Sequence, residues 1–126
     1  MTNSGLMILL IAPPGRYRDS LRVLLSAAGW IPGAGVADNV EMGMAMIANN
    51  APDLVLLDAG LPDGEAWVAL ENIKNNFPEI RCLVLTHTKQ DFITAQLQGA
   101  DDILPDGFSS QLLFDALQRL ASEEIC

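Results

Sequence analysis

Pro52-Asp53-Leu54-Val55-Leu56-Leu57-Asp58-Ala59-Gly60-Leu61-Pro62-Asp63-Gly64 carries the densest information in this chain. Leu54 to Leu57 run apolar without a break, as expected of a strand buried on both faces. Asp58 closes the run, and a turn rich in Gly and Pro follows it. A carboxylate at the carboxyl end of a buried strand stands where open α/β sheets place their binding and chemistry.

Working outward, apolar runs alternate with helix-period segments five times. Leu6–Ala12 reads as a first buried strand. Tyr17, Leu21, Leu24, Leu25 and Ala28 then recur at helical spacing up to Gly29. Trp30–Ala37 supplies a weaker strand, and its Pro32 predicts a sheet edge, since proline cannot donate to a ladder. Asp38 or Asn39 caps a helix that turns Val40, Met44 and Ile47 inward, with Met42, Met44 and Met46 read as helix packing. After the third strand, Asp53–Asp58, comes a helix carrying Trp67, Leu70, Ile73 and Phe77, ended by Pro78. Arg81–Thr86 is the fourth strand, and a short helix spans about Gln90 to Gln98. Asp102–Leu104 is the fifth strand, and the last helix starts at Ser109 or Ser110 and buries Leu112, Leu113, Ala116, Leu117 and Leu120. Right-handed βαβ crossovers then give a doubly wound α/β sandwich, (βα)5 and flavodoxin-like, with parallel order 2-1-3-4-5. Its switch point lies between strands one and three, so the loops after Ala12 and Asp58 line the expected site, joined by Thr86 and the Pro105–Gly107 turn.

The 126 residues are expected to form one domain, 1–126, which can be the N-terminal part of a longer protein. A net charge of −9, with only seven Lys and Arg, speaks against direct nucleic-acid binding. The apolar stretch Leu6–Ala12 is far short of the roughly 20 residues a membrane helix needs. Cys82 and Cys126 do not form a disulfide framework, and a cytoplasmic location without membrane contact is expected.

The Asp58 segment, the strand Leu83-Val84-Leu85-Thr86 and Gly99-Ala100-Asp101-Asp102-Ile103-Leu104 resemble response-regulator receiver domains of two-component signalling. The resemblance implies that Asp58 is the phosphoacceptor and that Thr86 binds phosphoryl oxygen. It also exposes departures. The acidic pair that holds Mg²⁺ in the family falls on Ala12 and Pro13, and the phosphoryl-binding Lys falls on Asp106. The aromatic switch position is Ile103, and His87 stands where the family keeps a small residue.

Phosphoryl transfer depends on positive charge around the transferred oxygens. Exchanging Lys for Asp ~4 Å away replaces attraction by repulsion, each about 4 kcal/mol at an effective dielectric near 20. Mg²⁺ usually needs one or two protein carboxylates, so with Ala12 and Pro13 in place of the acidic pair its binding is expected to be lost, leaving no cofactor or metal. The chain reads as a degenerate pseudo-receiver, a protein-interaction module and not an enzyme. The alternative is a conventional receiver phosphorylated on Asp58. Arg16, early after strand one, is the expected charge surrogate, against a plain solvated face of Arg16, Arg18 and Arg22. His87, the lone histidine, is a poor metal ligand by itself and reads as an ordinary side chain, with pH sensing the sharper option.

A flavin- or nucleotide-binding domain of flavodoxin type fits less well. Ala12-Pro13-Pro14-Gly15 lacks a phosphate cradle, and its prolines remove backbone N–H donors. The expected partners are proteins: a histidine kinase, an output domain or another signalling protein. A homodimer is expected through the face of the fourth helix, fifth strand and last helix. There Phe92, Ile93, Gln96 and Leu97 predict an apolar patch rimmed by Asp91, Asp101 and Asp106.

Overall fold

Leu54–Asp58 forms β3, every residue buried, at the centre of a five-stranded parallel sheet. The structure, a computed structural model, describes residues 6–123, so Cys126 lies outside the described residues. In chain order the elements are β1 (Ile8–Ile11), α1 (Arg16–Ala27), β2 (Ala34–Ala37), α2 (Val40–Asn49), β3, a 3₁₀ turn (Pro62–Gly64), α3 (Glu65–Asn76), β4 (Arg81–Thr86), α4 (Lys89–Leu97), β5 (Asp102–Pro105) and α5 (Ser110–Glu123). The strand order is β2-β1-β3-β4-β5, which places the switch point between β1 and β3. Ile8 to Ile11 lie in register with Ala34 to Ala37 on one side and Leu54 to Leu57 on the other.

Alternation along the strands divides the core in two. Ile8, Leu10, Leu54, Leu56, Leu83 and Leu85 face the layer of α1 and α5, where Leu21, Leu25, Leu113 and Leu117 cover them. Leu9, Ile11, Val55, Leu57, Cys82 and Val84 face α2 and α3, under Ile47, Ala66, Leu70 and Ile73. α2 comes closest. A Cβ on Gly43 would stand 2.5 Å from Cδ1 of Ile11, so only glycine permits this approach. Asn39 caps α2 by accepting from the Met42 N–H, and Thr88 caps α4 by accepting from the Asp91 N–H. β2 is an edge strand, and Pro32 lies before its first ladder residue.

Three residues expected to pack inward lie at the surface: Leu112, Tyr17 and Met42, whose sulfur instead accepts the Asp38 N–H at the start of α2. Leu112 is exposed because Leu113, Ala116, Leu117 and Leu120 make the buried stripe of α5, and Leu112 sits at its flank. Tyr17 has the right helical phase. It occupies the first turn of α1, past the end of the sheet, and is exposed. Cys82 is buried in β4, which pushes its thiol up to about 12, with Lys74 opposing and Asp101 adding to the shift. No helix among the described residues is long and apolar enough to cross a membrane.

Candidate functional site

The carboxyl ends of β1, β3, β4 and β5 bring Ala12, Asp58, Thr86 and the Asp106 turn to one edge of the sheet. Asp58 is 3% exposed, and its Oδ1 accepts the Gly60 N–H at 2.8 Å. The same oxygen lies 2.6 Å from Nε2 of His87. Nδ1 of His87 lies 2.7 Å from Oδ1 of Asp106. A single imidazole thus bridges the end of β3 and the turn after β5. A Cβ on Gly60 would stand 3.1 Å from Asp58 Oδ1 and 3.3 Å from His87 Nε2, so a glycine here leaves the pair its space.

The bridge is anchored on its other sides. The backbone N–H of His87 donates to Asp91 Oδ2 at 3.2 Å, which ties it to the first turn of α4. Tyr17 meets the imidazole edge-on, with ring centroids 5.3 Å apart at 68°. This contact explains why Tyr17 leaves the core. Burial lowers the affinity of His87 for a proton, but hydrogen bonds to Asp58 and Asp106, and then their charges, outweigh it and raise the pKa above 6.5. Burial, followed by the charges of Asp58 and Asp106, pushes the Tyr17 phenol up to about 12.

Thr86 is buried at the end of β4, and its hydroxyl donates a long 3.5 Å bond to the Leu104 carbonyl. Ala12 is fully buried and Pro13 half-buried; neither side chain has an oxygen for a metal. The Mg²⁺ that the fold family implies does not fit these residues. Asp58 Oδ1 already serves His87 and Gly60, and the described residues contain no cluster of three His, Cys, Asp or Glu placed to hold a metal. Ile103 is half-buried in β5.

Arg16 is exposed at the start of α1, and among the described residues the ion pairs of Asp58 and Asp106 are both with His87. The structure thus pairs both carboxylates with His87 and not with Arg16. β4 delivers its last side chain and the residue beyond it straight over the sheet edge. Arg16 instead points from a helix start with open solvent around it. Arg18, expected on the same solvated face, pairs with Asp38 beyond β2. The sequence did hold a signal for the bridge: a histidine next to Thr86 and an aspartate at the Lys position occupy neighbouring strand ends.

On the α4–β5–α5 face Ile93 is 48% and Leu97 82% exposed, whereas Phe92 is half-buried, so the patch is led by Leu97 and not Phe92. Nor do its acids form a free rim. Asp91 and Asp106 serve His87, Asp101 accepts from Lys74 and from the Cys82 N–H, and Asp102 pairs with Arg119.

Residues 9–118 match the response regulator receiver domain. The chain belongs to this family. It is similar to the nitrate/nitrite response regulator protein NarL of Escherichia coli K12, 30% identical over 120 residues, covering 94% of this chain and 56% of the relative. It is also similar to response regulator MprA of Mycobacterium sp. strain KMS, 31% identical, covering 90% of this chain and 49% of that one. The chain spans about half the length of these relatives. Among solved structures, the CheY-like receiver domain protein from Methanospirillum hungatei superposes with a TM-score of 0.84 at 23% identity, covering 96% of this chain and 97% of that one. The receiver domain of NtrX from Brucella abortus gives 0.81 at 25% identity, covering 90% and 96%. This receiver domain thus keeps the family's fold and its strand-end aspartate, and closes that aspartate with a histidine.

Proposed function

We propose that this receiver domain is a protein-interaction module of bacterial two-component signalling that works without Mg²⁺-dependent phosphorylation of Asp58. The observation that carries this reading is the contact between His87 and Asp58. A phosphodonor approaching Asp58 meets an imidazole where a small residue would leave room. Behind the imidazole stands Asp106, whose charge repels phosphoryl oxygens where a Lys would attract them. One positive group faces two negative ones, so the bridge leaves little charge to spare for a phosphoryl group.

Its partners are proteins: a histidine kinase, an output domain or another signalling protein, with self-association through the α4–β5–α5 face. The exposed side chains of Ile93 and Leu97 support that choice of surface. The acidic balance, with Arg18, Lys74 and Arg119 already paired to Asp38, Asp101 and Asp102, supports contact with proteins over contact with nucleic acid. Incubation with Mg²⁺ and acetyl phosphate, followed by intact mass, tests the reading. The expected spectrum is that of the unmodified chain. A gain of one phosphoryl group in the wild type, absent from Asp58→Asn, would make this a conventional phosphorylated receiver instead.

A further inference from the structure

Asp58, His87 and Asp106 belong to three separate segments, at the end of β3, after β4 and after β5, and one imidazole joins them. An ionised carboxylate only accepts hydrogen bonds, so both ring nitrogens donate here only while both carry hydrogen. That species is the imidazolium. We propose that His87 is a proton-operated latch, which when protonated holds the β5–α5 turn to Asp58 through Asp106 and when deprotonated releases that turn. In the opening step a proton leaves Nδ1 for water and the ring becomes neutral. The freed Nδ1 lone pair then faces the lone pairs of Asp106, and that contact parts. Nε2 keeps its hydrogen and its bond to Asp58.

Geometry decides which contact opens. The Asp58 side chain is 5% exposed and held by the Gly60 N–H, so it has no route to water. The Asp106 side chain is 57% exposed, in a turn where Gly107 has φ +86°. Water replaces the imidazole there at small cost. The His87 side chain is itself 28% exposed, which lets the proton exchange without unfolding. A cavity of about 270 Å³ beside the ring, bounded by Thr86, Lys89, Phe92 and Pro105, gives the released turn room to move.

The groups facing His87 come from every neighbouring element: Tyr17 from α1, Asp58 from β3, Lys89 and Asp91 from α4, and Asp106 from the turn after β5. Tyr17 stays neutral across the useful range, its phenol being pushed up to about 12. Three carboxylates against one ammonium favour the imidazolium, and the latch opens above 6.5. Since the His87 N–H also holds Asp91, the latch sits between the start of α4 and the β5–α5 turn. It therefore couples pH to the face that carries Ile93 and Leu97. The inference rests on the proposed function in one respect only, that Asp58 remains an unmodified carboxylate.

The test is a pH titration of the isotope-labelled full chain by NMR, with intact mass confirming that Asp58 is unmodified. The ring protons of His87 and the amide of Gly107 are expected to shift with one shared midpoint above 6.5. Asp106→Asn, an exposed change, lowers the ring midpoint, and His87→Gln removes the Gly107 transition. A Gly107 amide that stays fixed while the ring titrates overturns the latch. So does a Gly107 transition that survives in His87→Gln. If His87→Gln does not fold, Asp106→Asn decides alone: an unchanged ring midpoint overturns the latch. Mg²⁺ and acetyl phosphate added afterwards test phosphorylation separately, and a mass gain there leaves the titration result standing.

Discussion

Asp58 and Asp106 each find one nitrogen of His87, at 2.6 and 2.7 Å, and this arrangement has consequences for stability. The pKa of His87 in the folded chain is raised above the ordinary 6.5. A group of this kind binds its proton more tightly when folded, so its stabilisation is complete below 6.5 and is lost as pH rises through the folded pKa. Urea midpoints of the wild type and His87→Gln should therefore differ most at the acid end and converge as pH rises. A gap that widens with pH would contradict the bridge. Mg²⁺ offers a second measurement at this scale. With Ala12 and Pro13 at the end of β1, the amides of Asp58 to Gly60 should stay fixed through a titration to millimolar Mg²⁺. A saturating shift would show that the metal binds after all.

Helix α2 approaches β1 through Gly43, where the buried face of the helix meets Ile11. Alanine has the better helix propensity by about 1 kcal/mol. Yet a Cβ at 2.5 Å from Ile11 Cδ1 forces the helix or the isoleucine aside. Overpacking of this kind costs about 1–3 kcal/mol. Gly43→Ala should therefore destabilise on balance, and Ile11→Val should recover part of the loss by removing the atom in the way. A lower melting temperature in Gly43→Ala that Ile11→Val makes worse would place the strain elsewhere. The apolar faces of the other helices need no such allowance: α3 buries Ala66, Ala69, Leu70 and Ile73 on one stripe.

Over the whole molecule, buried carbon is divided between two layers, and α4 carries two of the exposed large apolar side chains, including the most exposed, Leu97. Leu97 at 82% and Ile93 at 48% exposure belong to α4, which packs against β5, on the face proposed for self-association. Leu97→Glu should shift sedimentation toward the monomer and leave the unfolding free energy within about 0.5 kcal/mol of the wild type. Unchanged association would remove that face from consideration. Phe92 is a poorer probe, because it is half-buried and lines the cavity beside His87, so a charge there perturbs packing as well as surface.

The order 2-1-3-4-5 was legible in the chain itself. Leu54–Leu57 and Cys82–Leu85 are continuous apolar runs, and Pro32 marks an edge strand, because hydrophobic period and missing N–H groups are local properties. That Ala12, Pro13 and Asp106 stand at the ends of β1 and β5 was legible for the same reason, as each is read one position at a time. The Asp58–His87–Asp106 bridge was only hinted at, by His87 beside Thr86 and by Asp106, because its members are 29 and 19 residues apart and meet only when β3, β4 and β5 align their ends. Tertiary structure also chose His87 over Arg16 as the partner of Asp58 and Asp106. Sequence distance placed both near the site, but direction decided between them: His87 follows a buried strand onto the sheet edge, while Arg16 begins a helix that faces water.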